Sequence, residues 1–294
     1  MRNLAESIAY TNKKKASQIR LLESHYSKSI EEIQDFIAGK RSAVGVTSGL
    51  GYLSGWYQWN FIQSFIVNNE VDYEQLSKAT FFGIESNNVR YFLGKKVATF
   101  KTALLFHISV KHLAQALLLG WEDRAIKYGQ LILSMLYGKQ YNGGHPGYRH
   151  AWFILEIFCK WREISLDYDK LNYPPDMGIY GRVLTHWDTK DQVLLEELVD
   201  QLTKFHIEQS DEEEHKDWTP DFSSSDYFIY AIEILIWLNI RSKLRLPDYH
   251  ADNDLMRLSI NNWDTRKQEI PTFDLLEQSK AKLLREYSGI EFEI

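Results

Sequence analysis

The stretch VATFKTALLFHISVKHLAQALLL, from Val97 to Leu119, is followed by Gly120 and then by WEDRAIKYGQLILSMLY, from Trp121 to Tyr137. The first run is apolar-rich and reads as a buried helix stopped by Gly120. The second run places Ala125, Tyr128, Leu131, Ile132 and Met135 at helical spacing and ends at Gly138. A turn this short between two helices makes them pack antiparallel. Strand-like alternation is scarce elsewhere, and no Asn-Gly turn joins two strand-like runs. The chain therefore reads as all-α.

Working outward gives the remaining elements. Upstream, Ile19, Leu22, Tyr26, Ile30, Ile33 and Ile37 line one face of a helix ending near Gly39, and Leu4 and Ile8 extend it toward the N-terminus. Gly45, Gly49, Gly51 and Gly55 read as an inter-helix loop. They do not make a dinucleotide-binding loop, whose last glycine would fall one position earlier, behind a strand. An aromatic segment follows (Trp56, Tyr57, Trp59, Phe61, Phe65), and Asp72 caps a helix through Tyr73, Leu76 and Ala79. Downstream, Asn142 to Gly147 is a loop, Tyr148 to Ile164 an aromatic helix, and Pro174-Pro175 a break. Helices are expected over 176–187 and 189–206, and another, capped by Ser225 or Asp226, carries Phe228, Ile229, Ile232, Leu235 and Leu238. Segments 255–263 and 273–287 complete the set. The expectation is an irregular bundle of about ten antiparallel helices forming one unit over 1–294. The alternative is a division into N-terminal helices (1–95) and a helical core (96–294). Leu113 to Gly120 with Ala125 is spaced like a helical-hairpin repeat, yet two further copies at a constant period are missing.

Composition narrows the class. In 294 residues, 44% of them hydrophobic, only six prolines and sixteen glycines occur, which argues against linkers. Nine Trp, seventeen Tyr and fifteen Phe supply an aromatic core. Cys159, the lone cysteine, lies in an apolar run and is expected to be a buried, inert thiol. Met1 to Tyr10 lacks the pattern of a secretory signal, and nowhere do eighteen apolar residues run unbroken by charge. A soluble, cytoplasmic protein is expected, with no membrane contact. An acidic pI near 5.9 disfavours direct nucleic-acid binding.

Charge singles out one segment. Between Glu208 and Asp226 stand Glu208, Asp211, Glu212, Glu213, Glu214, Asp217, Asp221 and Asp226 against the single Lys216. One positive and eight negative residues give a local formal charge of −7, beyond the whole chain's −6. Such a field attracts a metal ion or a basic protein surface. The run has neither the alternating ligands and central glycine of a calcium loop nor the Glu-x-x-His pairs of di-iron bundles, so no metal and no cofactor are expected. A solvated loop is the plain reading; a docking face for a cationic partner is the functional one. Trp218, Phe222 and Tyr227, within or beside the run, would supply aromatic anchors for that face.

Other chemistry is sparse. His107 and His112, like His145 and His150, are five apart and do not share a helix face, and thiolate zinc sites need more than one cysteine. Glu156, Glu163 and Glu233 in apolar helices suggest buried carboxylates, the basis for an alternative reading as an α-helical enzyme. Lys13-Lys14-Lys15 reads as a solvated face.

The run Asp226-Tyr227-Phe228-Ile229-Tyr230-Ala231-Ile232-Glu233-Ile234-Leu235, continuing through Leu238-Asn239-Ile240 to Leu246-Pro247-Asp248-Tyr249-His250-Ala251-Asp252, resembles the closing segment of the PoNe-type immunity proteins. These are bacterial antitoxins that neutralise DNA-degrading polymorphic toxins. The likeness covers about the C-terminal third. It departs from the family pattern at Ser225-Asp226-Tyr227, where Gly-Tyr-Trp is usual, and at Arg241-Ser242, where Asp-Asp is usual. The resemblance implies a non-enzymatic protein that occludes a basic nuclease surface by stoichiometric binding. A DNase must present such a surface to phosphates, and an acidic inhibitor face complements it. The runner-up binding role is a helical adaptor for some other basic protein.

Overall fold

Asn3 opens the first helix. Its side chain accepts from the Glu6 amide at 3.0 Å while the Glu6 carboxylate accepts from the Asn3 amide at 3.0 Å, a reciprocal cap that satisfies two orphan donors. In the computed structural model, residues 3–96, 105–141, 148–213, 219–250, 252–262 and 267–294 are described. Among them lie ten α-helices and no strand. These are α1 (Leu4–Ile37), α2 (Val44–Asn68), α3 (Tyr73–Lys96), α4 (Phe106–Leu118), α5 (Glu122–Tyr137), α6 (Arg149–Trp161), α7 (Ile179–Thr185), α8 (Gln192–Glu208), α9 (Ile232–Lys243) and α10 (Asp274–Glu286).

The antiparallel pair read from the sequence is α4 and α5. Residues 97–104 of the expected first run lie outside the described residues. The pair is joined at Gly120, whose φ of +74° a side chain would resist. Gly120 donates to Leu117 O at 3.1 Å and Trp121 to Ala116 O at 2.9 Å, closing the last carbonyls of α4. A late segment locks this turn from outside: Gln268 N donates to Leu119 O (3.0 Å) and Trp121 Nε1 to Gln268 O (2.8 Å). Helix α4 touches α3, α5, α6 and α9 and is the hub of the core. Val110, Leu113 and Leu117 on it are essentially inaccessible, each contributing about 1.5–3 kcal/mol of burial.

Two corrections follow from packing. The glycine cluster is not a loop: Gly45, Gly49, Gly51 and Gly55 all lie in α2. A Cβ on Gly49 would sit 3.1 Å from Ser29 O of α1, so the small residues let the two helices approach closely. The helix expected from Ser225 or Asp226 begins only at Ile232, and residues 224–230 make consecutive tight turns instead. The shift follows from Asp226, whose carboxylate is engaged by side chains and caps no helix. Helix α5 ends where expected, with Gly138 as its capping residue and Lys139 left-handed behind it (φ 54°). Asp72 does cap α3, accepting from Gln75 N at 3.1 Å. None of the described helices is long and apolar enough to cross a membrane.

Candidate functional site

The two ends of the acidic segment are paired: Asp211 N donates to Phe222 O (3.1 Å) and Phe222 N to Gln209 O (3.2 Å). Phe222 is fully buried, stacked on His150 (centroids 4.7 Å) and tilted against His206 (4.2 Å). Asp221, also fully buried, accepts from Arg149 N, the first residue of α6, at 2.7 Å and faces Arg149 Nε at 3.5 Å. A carboxylate there complements the positive end of the helix.

The eight carboxylates therefore divide. Asp226 is 5% exposed and pairs with Lys111 of α4 at 2.7 Å, with Ser224 on its other oxygen. Glu212 is half-buried, held by Lys14 (2.6 Å), Tyr10 OH (3.0 Å) and Ser225 N (3.1 Å). Burial works to raise its pKa, but the bonds from Lys14, Ser225 and Tyr10 prevail and hold it below the usual carboxylate range. Glu208 and Asp211 are half-buried near that pairing and Glu213 is exposed. Glu214, Asp217 and Trp218 lie outside the described residues. Asp221, Phe222, Asp226 and Tyr227, expected on a docking face, are interior groups. Burial and internal partners remove them from any outer surface. Tyr227, 2% exposed, donates through its hydroxyl to His107 O at 3.2 Å, and burial raises its pKa well above the ordinary value.

The other carboxylates weighed for chemistry do not converge. Glu156 accepts from Tyr168 OH (3.1 Å) and from Tyr173 OH. Glu233 meets His206 Nδ1 at 2.8 Å, while His206 Nε2 donates to Tyr227 O at 3.0 Å. Glu156 is satisfied by its own neighbours, whereas Glu233 has one oxygen on His206 and the other without a partner among the described residues. Glu163 takes the left-handed position (φ 55°) that ends α6. Cys159 is buried as expected, its thiol raised to about 12 chiefly by that burial.

Sequence reading missed a polar cleft of about 290 Å³ between α2, α3 and α4. Ser54 and Gln58 enter from α2, Ser86 and Arg90 from α3, and Lys111 and His112 from α4. Ser54 Oγ donates to Ala79 O at 2.7 Å, so His112 Nε2 must donate to Ser54 Oγ at 3.2 Å. The imidazole is neutral: burial first, then the Lys111 charge, lowers its pKa from 6.5 to about 3. Its Nδ1 then carries a lone pair with no partner among the described residues. Nearby, Thr80 Oγ1 shares its proton between Leu76 O (2.8 Å) and Gln115 Oε1 (3.2 Å), and Gln115 Nε2 donates to Gln58 Oε1 (2.9 Å), leaving Gln58 Nε2 without a partner among the described residues. The usable signal was a set of polar residues, Ser54, Gln58, Ser86, Arg90, Lys111 and His112, set among apolar ones in three successive helices.

No protein-family model, curated protein or solved structure matches this chain.

Gly83 makes the seat for His112. A Cβ there would lie 2.1 Å from the imidazole Cε1, inside van der Waals contact. Gly83→Ala is expected to cost about 1–3 kcal/mol net, despite the better helix propensity of alanine. Urea unfolding of the variant beside the parent checks this, and an unchanged midpoint would remove the packing claim.

Proposed function

We propose that the chain is an immunity-type protein that acts in the cytoplasm and blocks the basic active-site surface of a cognate nuclease toxin by stoichiometric binding. The observation that supports this reading best is the acidic segment with its paired ends. These are anchored by Asp221, Phe222 and the 210–222 bridge, while Glu213 stands in solvent and Glu208 and Asp211 flank the pairing. A segment held at both ends pays little ordering entropy when a partner closes over it. Exposed carboxylates raise encounter rate with a cationic face and disfavour wrong partners. The resemblance of residues 226–252 to the PoNe-type immunity proteins supplies the class of partner.

The contact set differs from a plain count of acidic residues. Glu212, Asp221 and Asp226 spend their charge on Lys14, Arg149 and Lys111, and Glu208 lies 4.0 Å from Lys204, so the partner would read Glu213, Glu214 and Asp217. Changing Glu213, Glu214 and Asp217 together to Ser is expected to weaken binding to the toxin encoded in the adjacent reading frame by roughly tenfold or more at low salt. The slope of log affinity against log salt should flatten as well. Isothermal titration at several ionic strengths reads both effects. Unchanged affinity at low salt would reject this surface, and failure of the chain to relieve toxicity on co-expression would reject the role.

A further inference from the structure

We propose that the cleft between α2, α3 and α4 binds a small carboxylate-bearing molecule, with Arg90 as counter-charge and Gln58 and His112 reading its polar body. This goes beyond the immunity reading and does not depend on it. The first argument is charge. Lys111 is already neutralised by Asp226 at 2.7 Å, and His112 is neutral. Among the described residues Arg90 makes two long bonds, Nε to Ser86 Oγ at 3.3 Å and one terminal nitrogen to Thr47 O at 3.5 Å. No carboxylate reaches it among the described residues. The cleft therefore carries one uncompensated positive charge in a site partly removed from water.

The second argument is hydrogen bonding. Gln58 and His112 are 3% and 5% exposed, yet the Gln58 Nε2 donor and the His112 Nδ1 acceptor have no partner among the described residues. Each orphan costs about 1–3 kcal/mol in this closed arrangement, a cost that a polar ligand in the adjoining cleft would relieve once the two side chains turn toward it. Water satisfies such groups at roughly 30 Å³ apiece. A space of about 290 Å³ with surplus positive charge favours an anion with a polar body over water alone. Carboxylate is preferred to phosphate on charge balance: one uncompensated cation matches a monoanion, whereas a phosphate dianion would leave a negative charge over in a site partly removed from water.

Saturation-transfer NMR on the full chain tests this, with acetate and glycolate as probes, acetamide as the neutral isostere of acetate, and inorganic phosphate as the competing anion. Both carboxylates should give saturable signals, with acetamide weaker by roughly tenfold or more. Arg90→Gln should lower carboxylate affinity by a similar factor. Gln58→Leu should weaken glycolate more than acetate, because only glycolate offers a hydroxyl to that donor. Gly51→Leu guards against misfolding of the arginine variant. Its Cβ would sit 3.7 Å from the Arg90 guanidinium at an ordinary contact, so it fills the cleft within a helix that leucine favours. Loss of binding in folded Gly51→Leu supports the site. Equal signals from acetate and acetamide, saturation by phosphate alone, no saturation by either carboxylate, or parental affinity in both Arg90→Gln and Gly51→Leu would each overturn it.

Discussion

Lys111→Met should destabilise the chain by about 3–5 kcal/mol, because it strands the Asp226 carboxylate in the interior. Both partners are 5% exposed, and the ammonium also lies 4.7 Å from the Tyr227 ring centroid. The attraction between such charges roughly offsets the cost of drying them, so the pair adds little net stability. Removing one member leaves the desolvation cost with nothing against it. The double variant Lys111→Met with Asp226→Asn should therefore recover most of the loss. A double-mutant cycle by urea denaturation isolates the coupling. A single-variant cost within about 0.5 kcal/mol of zero would mean that Asp226 reaches water.

Acid should destabilise the fold through His112 before most carboxylates titrate. Its folded-state pKa is about 3, below the ordinary 6.5 that the unfolded chain shows. Between those values the unfolded chain binds the proton and the native chain does not, so stability falls as pH falls. The contribution is complete above about 6.5 and declines by up to about 1.4 kcal/mol per pH unit toward 3. His112→Gln keeps a donor for Ser54 and removes the titration, so its stability should be flatter than the parent's between about pH 6.5 and 5. Stability curves that stay parallel across that window would show that the imidazole charges within the fold.

Local physics carried the helical reading a long way. Asp72 caps its helix as its spacing implies, and the turn at Gly120 closes α4 by the bonds that a left-handed glycine permits. These features depend on residues within a turn or two of each other. The glycine run reads as a loop from the sequence because the reason for Gly49 is another helix: Ser29 O of α1 lies 3.1 Å from where a Cβ would stand.

The site was less legible. Sequence alone determined that residues 208–226 are acidic, that the chain around them is helical, and that aromatic side chains fill the interior. Only the tertiary structure decided where each charge goes. Lys111 comes from 115 residues upstream to meet Asp226, Lys14 reaches Glu212 from the first helix, and Arg149 receives Asp221 at the start of α6. A one-dimensional count sums charges that share a segment. Coulomb energy and desolvation depend on distance and burial, which the fold alone supplies. The orphaned Gln58 and His112 in the cleft were hidden for the same reason: whether a polar atom has a partner is a property of packing.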